Sequence, residues 1–249
     1  MDMDVSLLWP SVTPDAHDHP VASAAHRAWR ELAEHGATAS SAFERERVAD
    51  IMVVLEAMLV ELALPCTAKD ESARALAGAL TRWRTSRDIA GAQADLGALL
   101  GRPVSLYGIA SAPEAALMAD CARRLEDGLL PLLRHIEDLA STIDQEYQRQ
   151  AVQAITEVTA TAAEGWEAFP FEGPEAAAIT HSWMLGPVSA AYACVLMARD
   201  AAPALGDGDK RAATVAKRWA YSRVRTDTME LLTSRHVGKT SRLIAGQAL

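Results

Sequence analysis

The chain has 249 residues, half of them apolar and 5% aromatic, with a formal net charge of −9. That length buries an adequate core as one large domain or two small ones. The acidic balance disfavours nucleic acid as a partner, and three widely spaced cysteines, Cys66, Cys121 and Cys194, form no metal spacing and suggest a reducing compartment.

The N-terminal MDMDVSLLWP is acidic and lacks a basic stretch followed by an apolar run, so no signal peptide is expected and the cytoplasm is the expected location. Residues 1–19 read as irregular. His17 and His19 flank Asp18 but have no further ligands nearby, so no metal site is assigned. Residues 20–34 read as a helix ending at Gly36, with Val21, Ala24, Ala25, Ala28 and Leu32 on one face.

Ser41 and Glu44 have capping-box spacing, and the helix behind them runs to Leu64, before Pro65. Its apolar arc is wide. Glu46, Asp50 and Glu61 lie at the other edge, beside Val53 and Ala57, and read as a solvated stripe or as the rim of a site, with Asp50 as a candidate ligand contact. Residues 70–84 and 88–100 read as two shorter helices, with Arg82, Arg84 and Arg87 solvated at their junction and Gly101 closing the second.

Residues 101–112 are the expected inter-helix linker, and the only candidate subdivision of what otherwise reads as one all-helical domain over 1–249. Ser111 and Glu114 repeat the capping-box spacing and open a helix predicted to end near Gly128. Residues 129–164 then read as one long helix, or as two joined near Ser141-Thr142. They lack the Glu-x-x-His pairs of di-iron bundles. The aromatic loop at 165–174 reads as a plug at the end of the bundle or a cover over a pocket.

Residues 173–200 carry no charge between Glu175 and Arg199, and are apolar on every side of a helical wheel. They predict a central helix over about 174–201, kinked or briefly broken at Gly186-Pro187. The stretch is long enough to span a bilayer, but its Thr180, His181, Ser182 and Ser189, in an otherwise amphipathic chain, favour a core helix. His181 and Tyr192 are candidate site residues on it.

Residues 210–249 hold nine Lys/Arg and two Asp/Glu, whereas the rest of the chain holds 15 and 31. This basic segment either packs on the acidic body or binds an acidic ligand or partner. Helix is predicted over about 209–235. On its wheel Trp219 lies in the apolar arc, and Arg211, Arg218 and Arg225 form a solvated stripe. Arg223, Asp227 and Glu230 fall inside the arc, where three charges must satisfy one another. Either Arg223 and Asp227 form a buried bridge, or the three line a pocket against the helix of His181 and Tyr192.

No strand-period alternation, internal repeat, phosphate loop or nucleophile elbow occurs, so the fold class is all-α, about eight helices around the 174–201 helix. The functional expectation is a cofactor-free helical enzyme of small-molecule metabolism, acting on an anionic substrate by proton transfer: elimination, isomerisation or intramolecular cyclisation. Arg223, Tyr192, Trp219 and Asp50 would bind the substrate, and Asp227, Glu230 and His181 would carry protons, without metal. The alternative is a non-catalytic interaction protein of immunity or regulatory type, docking its basic C-terminal segment on an acidic partner. No membrane attachment is expected, and self-association is left open.

Overall fold

The computed structural model describes residues 20–104, 106, 113–143, 145–168, 174–201 and 210–225, with the backbone alone described for 20–21, 145, 167–168 and 174–183. All elements among the described residues are helical: α1 Pro20–Thr38, α2 Ala42–Ala63, α3 Glu71–Leu100, α4 Glu114–Ser141, α5 Gln145–Ala168, α6 Pro174–Asp200 and α7 Arg211–Trp219, with a π-helical turn at Ala220–Val224.

Local chemistry sets several of these ends. Ser41 caps α2 by accepting the Glu44 amide at 3.1 Å, while the Glu44 carboxylate, free of the reciprocal capping bond, pairs with His35 of α1 at 2.8 Å. Asp70 caps α3 by accepting the amides of Ser72 and Ala73. Gly101 ends α3 with φ 63°, a left-handed conformation that glycine adopts without penalty.

Two predicted boundaries are absent. α3 runs unbroken through 85–87, because no glycine or proline stands there and Arg84 and Asp88 pair one turn apart across the expected junction. α4 does not stop at Gly128. A Cβ there would lie 2.8 Å from Ser72 O and 2.9 Å from Leu76 Cβ, so Gly128 is a point of close approach between α3 and α4. Pro131 also lies inside α4, without the amide that would bond the Asp127 carbonyl one turn back. Ser72 Oγ of α3 donates to that carbonyl at 2.9 Å instead. The junction predicted near Ser141-Thr142 is real: α4 ends at Ser141 and α5 begins at Gln145.

α6 is one continuous helix from Pro174 to Asp200 with Pro187 inside it, so Gly186-Pro187 does not break it. It packs against α2, α3, α4, α5, α7 and the π-helical turn. From Met184 to Ala198 every residue but Gly186 is buried, and Gln148 of α5 donates to the Ala198 carbonyl at 2.8 Å near its C-terminal end. Residues 53–61 of α2 are likewise buried on all sides, including Glu56 and Glu61. Among the described residues no helix is long and apolar enough to cross a membrane. The three cysteines are free thiols, and burial pushes Cys121 up to about 11 and Cys194 up to about 12.

Candidate functional site

α2 and α7 are laced together by charge. Glu56, fully buried on α2, accepts from Trp29 Nε1 of α1 at 2.7 Å and from Arg211 Nη1 of α7 at 2.9 Å, with Arg211 Nη2 as a second donor. The Arg211 guanidinium also lies over the Trp29 ring, 5.4 Å from its centroid. Two turns on, Arg218 donates through Nε to Asp50 at 2.9 Å and through Nη2 to Glu46 at 2.6 Å. Arg211 and Arg218 therefore face α2 rather than open water. The wheel placed them outside the apolar arc, but it could not show that an acidic helix lies opposite.

Beside this seam lies a second charged group. Arg84 of α3 is 4% exposed; it pairs with buried Glu61 of α2 and, through Nη1, with Asp88 at 3.4 Å. Its guanidinium also lies 4.9 Å from the centroid of the Trp219 ring, and Trp219 Nε1 donates to the Ala190 carbonyl of α6 at 2.9 Å. A solvated Arg84 and Glu61 are thus corrected: both are core residues, made tolerable by each other. Burial of Asp88 raises its carboxyl above the ordinary range, against the opposing pull of Arg84, Arg223 and Arg87.

Asp88 stands where two cavities adjoin. An outer cleft of about 190 Å³ is bordered by Asp50, Ile51 and Val54 of α2, by Arg87, Asp88, Gly91, Ala92 and Asp95 of α3, and by Arg223 of the π-helical turn. An inner chamber of about 30 Å³ shares Arg87, Asp88 and Arg223, and reaches Trp83, Arg84, Ser189 and Trp219. Trp83 Nε1 is buried with no hydrogen-bond partner among the described residues.

The charges around the cleft are unevenly matched. Asp50 has Arg218, Asp95 has Arg47 at 3.8 Å, and Asp88 has Arg84. Arg87 and Arg223 form no ion pair among the described residues; Arg87 lies 5.7 Å from the centroid of the Trp83 ring. Two arginines thus border both cavities with no direct ion-pair partner among the described residues.

A larger, open groove of about 550 Å³ lies between the α2–α3 connection and α4, bordered by Lys69, Asp70, Arg134, His135 and Asp138. His135 is partly buried, and that burial lowers its pKa. Asp70 is engaged as the α3 cap, which holds its carboxyl below the usual range.

Of the residues predicted from sequence, Arg223, Trp219 and Asp50 border the two adjoining cavities. Arg223 is exposed at the mouth rather than buried in the apolar arc: the π-helical turn, wider than an α-turn, rotates it away from its place on a uniform wheel. Tyr192 is buried elsewhere, its hydroxyl hydrogen-bonded to Cys66 and its pKa raised chiefly by burial. Asp227, Glu230, residues 169–173 and the His181 side chain lie outside the described residues, while 165–168 of the predicted loop belong to α5. Asp88, Arg87 and Arg84 were not assigned to a site from sequence, and Glu61 was read only as part of a solvated stripe or a site rim. The signal available was the i, i+4 spacing of Arg84 and Asp88. Comparison with protein-family models, curated proteins and solved structures finds no match to this chain.

Proposed function

We propose that the cleft between α2, α3 and the π-helical turn binds a small anionic metabolite, and that the protein is a cofactor-free helical enzyme moving a proton on it. The observation that carries this reading is that Arg87 and Arg223 border the cleft without ion-pair partners among the described residues, while its other charged groups are matched. Guanidinium forks hold carboxylates through paired hydrogen bonds. The unpartnered Trp83 indole N–H supplies a further buried donor beside the same site.

Asp88 is the proton carrier in this reading. Burial keeps its proton at a higher pH than an ordinary carboxyl would, which brings a general acid–base group nearer to neutrality. Elimination, isomerisation and intramolecular cyclisation all require such a transfer and no more elaborate apparatus. Asp227 and Glu230, next along the chain from Arg223, and His181 stay candidates for a second proton-carrying group. The interaction-protein reading is the weaker one, because Arg211 and Arg218 of the basic segment are already engaged by acids of the same chain.

The test is a panel of small carboxylates incubated with the protein in D₂O and followed by proton NMR. Conversion of a carboxylate, or deuterium incorporation next to its carboxyl group, is expected with the wild type and lost in Asp88→Asn. Neither with any member of the panel, or equal rates in Asp88→Asn, would overturn the reading.

A further inference from the structure

We propose that the ligand of this cleft is a short-chain monocarboxylic acid, taken up together with a proton that it shares with Asp88. The inference rests on the reading of the cleft as an anion site and specifies the anion.

Size comes first. The cleft, about 190 Å³, is smaller than the roughly 300–1,000 Å³ of pockets that hold larger ligands such as a nucleotide or a coenzyme. The inner chamber, about 30 Å³, adds little to it.

Chemistry narrows the class further. Part of the wall of the cleft is hydrocarbon or bare backbone: Ile51 and Val54 from α2, Gly91 and Ala92 from α3. A phosphate or sulfate ion, polar on every side, would leave that wall dry and unmatched. A short aliphatic chain covers it. The charged lining offers Arg87 and Arg223, but also Asp88, which borders the inner chamber with them, and Asp50 and Asp95. Three carboxyl groups around so small a volume oppose a dianion, even with Asp50 and Asp95 matched by Arg218 and Arg47. A single carboxylate meets two arginines and one carboxyl group that can give it a hydrogen bond.

That last contact requires a proton. Two carboxylates brought into contact cannot both stay ionised, so one holds the proton and donates it to the other. The groups facing Asp88 support this. From its own helix come Arg84, already paired with Glu61 of α2, and Arg87; from α2 comes Asp50, and from the π-helical turn Arg223. α6 contributes Gly186, Ser189 and Ala190, none of which titrates. A bound carboxylate neutralises the pull of Arg87 and Arg223 on Asp88 and leaves burial as the dominant influence, which favours the protonated acid.

The experiment is titration calorimetry of the full chain with butyrate, succinate and inorganic phosphate, each in two buffers of different ionisation enthalpy, at several pH values. Butyrate is expected to bind with uptake of up to one proton, its Kd rising by as much as about tenfold per pH unit where that uptake is complete. Succinate and phosphate should bind at least about tenfold more weakly. Asp88→Asn should bind butyrate with no proton uptake, and Arg223→Ala should lose most of the affinity. Butyrate binding without proton uptake, or phosphate or succinate binding as tightly, overturns this inference but leaves the anion site standing. Failure of all three anions to bind, or binding unchanged in Arg223→Ala, overturns the anion site itself. Thermal melts of each variant establish that it is folded before its affinity is read.

Discussion

Arg84 and Glu61 join α3 to α2 through an ion pair shut away from solvent, with Asp88 as a further partner of the same guanidinium. A charge in that position is stable only while its partner is present. Glu61→Ala is therefore expected to destabilise the protein by about 3–5 kcal/mol, measured by urea denaturation. The double replacement Arg84→Met, Glu61→Leu should cost much less than that, because it removes both charges and keeps apolar volume. A double variant as unstable as the single one would show that the pair supplies more than mutual neutralisation.

The two α7 arginines should separate in the same assay. Arg211→Ala leaves Glu56 fully buried with the Trp29 indole as its remaining donor among the bonds described above, at a cost of about 2–3 kcal/mol. Arg218 bonds two carboxylates that are more than half exposed, so Arg218→Ala should cost no more than about 1 kcal/mol. Equal losses would mean that burial of the acid does not govern the effect.

The helices were legible in the sequence wherever a local rule decided them. Ser41, Gly101 and the apolar run around α6 mark elements that the structure contains. What was not legible depends on neighbours distant in sequence. Gly128 reads as a helix end, yet it is the surface on which α3 rests. Pro131 lies within a stretch that reads as helix, but only the structure shows Ser72 taking up the carbonyl it leaves. Arg84 and Glu61 read as surface charge because each is intelligible only beside the other. Arg223 was placed inside the apolar arc although it is exposed, since a uniform wheel does not anticipate a π-helical turn.

Glycine substitutions test the helix packing directly. Gly128→Ala puts a methyl group against Ser72 O and Leu76 Cβ, and should destabilise by about 1–3 kcal/mol. Gly91→Ala meets nothing within 4 Å and should stabilise by about 0.5–1 kcal/mol through a better helix former. Thermal unfolding followed by circular dichroism reads both. A Gly128→Ala variant as stable as the wild type would contradict the close approach of α3 and α4.

Asp88 makes a signed prediction about pH. Its folded-state pKa is raised above the ordinary value of 3.8, chiefly by burial. Above 3.8 the unfolded chain has lost a proton that the native state still holds, so this group's contribution to stability is lost as pH rises through the raised value. Asp88→Asn lacks that titration. The Tm of the wild type minus that of Asp88→Asn should therefore fall as pH is raised from about 4 towards about 8. A difference that is flat, or that grows with pH, would mean that the arginines around Asp88 outweigh its burial.

The most direct measurement of the central claim is a crystal structure of the protein grown with 3-bromopropionate, whose bromine is located by anomalous scattering. A bromine peak is expected against Ile51 and Val54, with the carboxylate between Arg87 and Arg223 and within hydrogen-bond distance of Asp88. An empty cleft at saturating ligand, or a peak confined to the groove beside His135, would contradict it.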